Sequence, residues 1–242
     1  MNCSTMKRDA SALSLLARYS LPPNSLGFCG KNTAPEKFKK CIILGQCAGV
    51  KKEIRHFIVL NPYLNTLAKI LGRDKFSRAV IESYWFGSSH LKKVKDSDYE
   101  LLLKNFKKQG VPEGLLAELM VNPPRKFVPT HLFQVLHVGV GRSSGSVPFN
   151  LKSINNCMIR WGRVESIGRE KLKVCLNSLV KKGGSYGLIK RTEWVSYISD
   201  LLPGLKMGDT VSVHWGLANK KLTGSEEAKL TFWTNNVLQN VF

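Results

Sequence analysis

Gly208-Asp209-Thr210-Val211-Ser212-Val213-His214-Trp215-Gly216-Leu217-Ala218 decides the reading of this 242-residue chain. Val211, Val213 and Trp215 alternate with Thr210, Ser212 and His214, the period of two that marks a half-buried strand. Working outward, Leu172, Val174 and Leu176 alternate in the same way with Lys171, Lys173 and Cys175. Cys157-Met158-Ile159-Arg160-Trp161-Gly162-Arg163-Val164 is a further strand candidate. Ile159 and Trp161 share the parity of Cys157 and Val164 does not, which predicts a bend or bulge near Gly162. Thr223-Gly224-Ser225-Glu226 has capping-box spacing and opens a last helix to about Val241, with Leu230, Trp233, Val237 and Val241 on its apolar face. Four or five short strands and one helix predict a small barrel in this part of the chain.

Upstream the period changes to that of helices. Residues 7 to about 122 read as helical: Lys7 to Tyr19, ending before Pro22-Pro23; Glu36 to Ala48; a helix opened by Asn61-Pro62 and ended by Gly72; and Phe76 to Phe86. Asp98 to Lys108 and Glu113 to Met120 form a pair split by Gly110-Val111-Pro112. Asn122-Pro123-Pro124 marks a change of character. Phe127 to Val140 is apolar with β-branched residues, so His131 and His137 would share a face if it were a strand. The stretch Gly139 to Ser146 is a linker or turn. It has some look of a phosphate cradle but lacks dinucleotide spacing and a Gly-Lys-Ser/Thr ending. The expected fold class is α+β, with a helical domain at 1–125, a connecting segment at 126–155 and the barrel domain at 156–242.

Composition narrows the function. A hydrophobic fraction of 43% suffices for a real core. No run approaches the ~20 apolar residues of a membrane span. Lys7, Arg8 and Arg18 flank only a brief apolar run, without the pattern of a signal peptide, so a cytoplasmic location is expected. The six cysteines form no CxxC pair, which argues against a disulfide scaffold and against a structural zinc site. The net charge of +20 favours encounters with nucleic acid or an acidic protein. The basic residues are scattered, however, as on an ordinary solvated surface. Paired carboxylates and a Ser/His/Asp pattern are missing, so catalysis is not expected.

Thiolate and imidazole together hold soft or borderline metals such as iron. His214 lies on the polar parity of its strand and should face away from the barrel core. Taken alone it reads as a surface histidine, and Cys157 alone reads as a small buried residue beginning its strand. His131 and His137 are candidates to join Cys157, and Cys29, in the turn-rich loop Leu21 to Gly30, is a further candidate ligand. Arg163 is placed to lower the Cys157 thiol pKa.

These two strand motifs resemble those of the HypC/HupF family of [NiFe]-hydrogenase assembly chaperones, over residues 156–240. That family opens on a Cys followed by a short apolar run and Pro-Gly-Lys/Arg-Val; Cys157 to Val164 keep the register, with Trp161 at the proline. Its Gly-Asp-x-Val-x-Val-His-x-Gly-x-Ala motif is similar to Gly208 to Ala218. Lys221-Leu222 and Glu226-Glu227-Ala228 follow as in the family. The whole chain looks like a prokaryotic family that joins a helical N-terminal part to this end. The resemblance implies a five-stranded OB-type barrel with a C-terminal helix. It also implies an accessory role in hydrogenase maturation, with an iron centre bearing cyanide and carbonyl held through Cys157 and His214. Partners would be maturation proteins or the hydrogenase large subunit. Three other readings stay open. One is an OB-type nucleic-acid module using Trp161, Trp194 and Trp215. The second is a metal-dependent enzyme using His131, His137 and Cys157. The third is a docking module without metal.

Overall fold

The structure, a computed structural model, describes residues 3–240, with side chains described from residue 11 onward. Val241, assigned above to the apolar face of the last helix, lies outside the described residues, as do the side chains of Lys7 and Arg8.

The helical part comprises α1 (Cys3–Ser25), α2 (Pro35–Leu44), α3 (Val50–Ile54), α4 (Leu60–Leu71), α5 (Arg78–Trp85), α6 (Tyr99–Gln109) and α7 (Glu113–Val121). Gly45, Gly72 and Gly110 stop α2, α4 and α6 in the left-handed conformation, which lacks a steric penalty only for glycine. α1 does not stop before the prolines: Pro22 and Pro23 lie inside it. Its buried Leu13, Leu16 and Ala17 hold the axis against the rest of the core, so the helix continues although two backbone donors are missing.

The segment after Asn122 departs from the strand reading. Its residues form α8 (His131–Phe133), a π-helical stretch (Gln134–Gly139) and, later, α9 (Leu151–Cys157). The Thr130 side chain accepts from Phe133 N–H and starts this helix locally. The parity shared by His131 and His137 therefore has no strand to act on. Cys157 is the last residue of α9 rather than the first of a strand. The cysteine expectation is also corrected: Cys41 and Cys47 are joined in a disulfide, because the chain reverses at Gly45 and brings their Cα atoms to 4.3 Å.

The sheet is as the alternation predicts. β1 (Arg160–Ile167), β2 (Lys171–Lys182), β3 (Ser185–Ser196), β4 (Thr210–His214) and β5 (Leu217–Lys221) pair in the order β1-β2-β3-β5-β4, and β4 returns to pair with β1. Val164, Leu172, Val174, Leu176, Val211 and Val213 are buried. The bulge falls between Val164 and Ser166, just beyond the predicted bend at Gly162. α10 (Gly224–Asn240) begins in the predicted capping box: Thr223 Oγ1 accepts from Glu226 N–H at 3.2 Å and the Glu226 carboxylate accepts from Thr223 N–H at 3.1 Å.

One cluster of buried apolar side chains runs through the helical and sheet parts alike. β4 is buried from Val211 to His214, on its outer face as well as its inner one. α1 covers that outer face, and the Tyr19 and Ser212 hydroxyls meet there at 2.7 Å. A polar-parity residue on β4 thus faces away from the sheet core, as predicted, but into protein rather than solvent. Among the described residues no helix is long and apolar enough to cross a membrane.

Candidate metal centre

His131 at the start of α8, Cys157 at the end of α9 and His214 at the end of β4 meet where the helices cover the sheet. Each offers a ligand atom, and these atoms all lie within 4.8 Å of one another. All three residues are buried, to 4%, 7% and 1% exposure. The imidazole rings of His131 and His214 are 5.2 Å apart between centroids, and Trp85 packs against His131 at 4.7 Å.

The backbone of α1 sets the tautomer of His214. In an uninterrupted helix the Tyr19 carbonyl would accept from the residue four positions on, which is Pro23 and has no N–H. That carbonyl instead lies 2.8 Å from His214 Nδ1, so Nδ1 carries the proton and donates it there. The lone pair is left on Nε2, which is buried and has no hydrogen-bond partner among the described residues. A buried polar atom with no partner is costly, and a metal ion is a partner that satisfies it. The Cys157 carbonyl approaches this ring closely enough to raise its pKa as a weak hydrogen bond would, but the geometry of a full hydrogen bond to Nε2 is not met.

His131 has two arrangements. Nε2 lies 2.7 Å from the Cys157 carbonyl and can donate to it. Alternatively the proton sits on Nδ1 and is donated to the Tyr84 oxygen at 3.0 Å, while Tyr84 donates its own proton to Gln134. The second arrangement puts the lone pair on Nε2, and a metal there would take the place of the close contact with the Cys157 carbonyl. Tyr84 and Gln134 are the outer partners that orient this ligand, and sequence periodicity offers no signal for them.

Electrostatics suit neutral donors. Burial pushes the His131 pKa down to about 4, against the opposing pull of the Cys157 carbonyl. Burial, followed by the neighbouring His131, holds His214 well below the usual range. Both rings are uncharged at neutral pH, the form that binds metal. Burial raises the Cys157 thiol well above its usual value; nearby Cys29 adds to this and the Trp215 side chain opposes it. The expected lowering by Arg163 is thus reversed: Arg163 is exposed on β1, and low dielectric outweighs a distant solvated charge. The thiol must lose its proton to bind metal, so binding releases one.

Trp215 was not singled out as part of the centre. Trp215 and Gly216, at φ +51° and +72°, form the two-residue turn between β4 and β5. A tryptophan in the left-handed region costs about 1–3 kcal/mol. Its backbone N–H donates to the Asn156 carbonyl at 2.7 Å, and its ring packs on Phe28 at 4.5 Å. The indole N–H forms no full hydrogen bond, yet it favours the Cys157 thiolate. If a metal thiolate forms there, Trp215→Phe is expected to weaken metal affinity about 10–100-fold, the usual cost of losing such an outer partner. Competition against a chelator measures it.

His137 is placed apart from this centre. Its Nε2 is 2.9 Å from the Tyr99 hydroxyl, its ring packs on Phe133 at 5.0 Å, and it is not in the three-residue cluster. The cause is the helical path of 131–139, which turns residues six apart to different sides. The tryptophan platforms are also dispersed. Trp161 is buried and Trp215 half-buried, leaving Trp194 exposed at 58%. No curated protein and no solved structure matches the chain. Residues 8–242 match DUF6390, a family of unknown function, and over that span the chain belongs to it.

Proposed function

We propose that this protein is a metal-holding accessory protein of the HypC/HupF type, serving [NiFe]-hydrogenase maturation, with iron as the ion it carries. The observation that supports this reading most is the convergence of His131, Cys157 and His214, with ligand atoms within 4.8 Å in a buried site. Cys157 and His214 are the residues to which the family resemblance assigns the iron. His131 comes from upstream of the resembling stretch and adds a third donor. The strand order β1-β2-β3-β5-β4, closed by β4 on β1, fits the small OB-type barrel the resemblance implies. The donor set fits the ion: a thiolate is a strong ligand for iron and neutral imidazole is a good one.

The protein's own residues position and shield the ion. Tyr19 and Tyr84 orient the two rings, Trp215 favours the thiolate, and Trp85 contributes to the wall around His131. Cyanide and carbonyl would arrive on the iron as part of the cargo. Partners in this reading are maturation proteins or the hydrogenase large subunit.

The test is anaerobic purification after co-expression with the maturation machinery, followed by metal analysis and infrared spectroscopy. Wild type is expected to carry iron with cyanide and carbonyl bands. Cys157→Ala and His214→Ala are expected to lose both, and His137→Ala to keep them. Absence of metal from the wild type, or metal indifferent to both ligand substitutions, would overturn the reading.

A further inference from the structure

We propose that Cys29 is a fourth ligand for a divalent ion that arrives without ligands of its own, making the centre a His2Cys2 site reached through the cavity that Cys29 borders. This rests on the reading that His131, Cys157 and His214 bind a metal. The cavity measures about 290 Å³, and its walls include those three residues together with Cys29.

The loop carrying Cys29 is held in place from several sides. The Asn24 side chain donates to the Cys29 carbonyl at 2.6 Å and to the Lys31 carbonyl at 2.9 Å. Gly30 has φ +76°, and a Cβ there would come within 2.5 Å of the Phe57 ring, so the chain passes too close for any other residue. Phe28 packs on Trp215, the neighbour of His214. Cys29 is a free thiol in an exposed residue, although its crowded surroundings raise the thiol pKa to about 11, while Cys157 is buried inside. Cys29 acts electrostatically on Cys157, but its Sγ is not among the ligand atoms that lie within 4.8 Å of one another, so its side chain must turn inward to reach the ion. An independent sign that the cavity floor binds something is His214 Nε2, buried and unpartnered among the other donors.

Charge balance favours a second thiolate. A bare divalent ion, without cyanide, held by one thiolate and two neutral imidazoles keeps a net positive charge in a buried site, which is costly unless compensated. Among the described residues, the cavity wall contains no aspartate or glutamate. Tyr19 and Tyr84 line it too, but their hydroxyls are engaged with Ser212 and with Gln134 and His131. His56 also lines it, and as a neutral ligand it would leave the charge unbalanced. Cys29 supplies the missing negative charge, and four donors of this kind suit a tetrahedral divalent ion.

Cobalt(II) alone, titrated into the full-length protein without oxygen, tests this, because thiolate-to-cobalt charge-transfer absorption scales with the number of bound sulfurs. Wild type is expected to bind one equivalent with a two-thiolate band. Cys29→Ala should keep the stoichiometry, lose about half of the band and bind more weakly. Cys175→Ala, which alters a thiol on β2, should match wild type. A wild-type band unchanged by Cys29→Ala would overturn the fourth ligand and leave the three-residue centre standing. No cobalt binding by wild type would overturn that centre and the fourth ligand with it.

Discussion

Acidification from pH 6.5 to 4.5 is expected to destabilise the fold by several kcal/mol, mainly through its buried histidines. An unfolded histidine has a pKa near 6.5, whereas burial lowers His131 to about 4. The folded state therefore binds fewer protons than the unfolded state throughout this interval, and stability falls as pH falls. The loss begins near the unfolded pKa and levels off once the pH passes below the folded one. At roughly 1.4 kcal/mol per pKa unit, His131 alone contributes about 2–3 kcal/mol by pH 4.5. His214, also lowered, adds to the loss in the same direction. His137, also lowered to about 4 by burial, contributes less because it is partly exposed. Glu53, Asp209 and Glu226 have depressed pKa values, so their share begins to be lost only near the unfolded carboxylate pKa, about 4 to 4.5, and continues to be lost below it. Urea unfolding followed by tryptophan fluorescence at pH 7.5 and 5 measures the effect. His131→Phe should flatten the pH dependence, although its absolute stability changes as well. Equal midpoints for wild type at the two pH values would refute the prediction.

Gly162→Ala is expected to destabilise by roughly 3 kcal/mol or more, near or beyond the upper end for overpacking. A Cβ at Gly162 would lie 1.9 Å from the Cys175 carbonyl oxygen and 2.8 Å from the Leu176 Cα. Both are backbone atoms of β2, so no rotamer change can relieve the overlap. β1 must move away from β2, carrying buried Trp161 and the strand that follows Cys157. Gly114→Ala is the control, since its Cβ meets nothing within 4 Å inside α7. It is expected to stabilise slightly, by about 0.5 kcal/mol, through helix propensity. Similar unfolding midpoints for the two variants would show that β1 and β2 can separate at little cost.

Much of the fold was legible because the signals are local. The alternation through Val211 and Val213 reports a strand whatever surrounds it, and the Thr223 to Glu226 cap lies within one turn of helix. The helix stops at Gly72 and Gly110 were readable because left-handed backbone favours glycine in any context. The segment 127–140 misled because β-branched content is only a weak preference, and packing in the core outweighed it. Pro22-Pro23 misled in the other direction: the missing donors were tolerated, and the freed Tyr19 carbonyl was taken by His214.

The candidate site was legible only in part. Cys157 and His214 stood out through motif resemblance and His131 through its residue type. Spacing gave no means of choosing His131 over His137. Sequence by itself determined the helix-then-sheet order, the strand faces and the polar parity of His214, all set by neighbours a few residues away. Tertiary structure alone decided that this polar face is buried under α1. It also decided that residues 131, 157 and 214 converge, and that prolines in one helix leave a carbonyl for a histidine nearly two hundred positions later. Those outcomes depend on long-range packing of separate amphipathic surfaces, whose mutual placement no local pattern encodes.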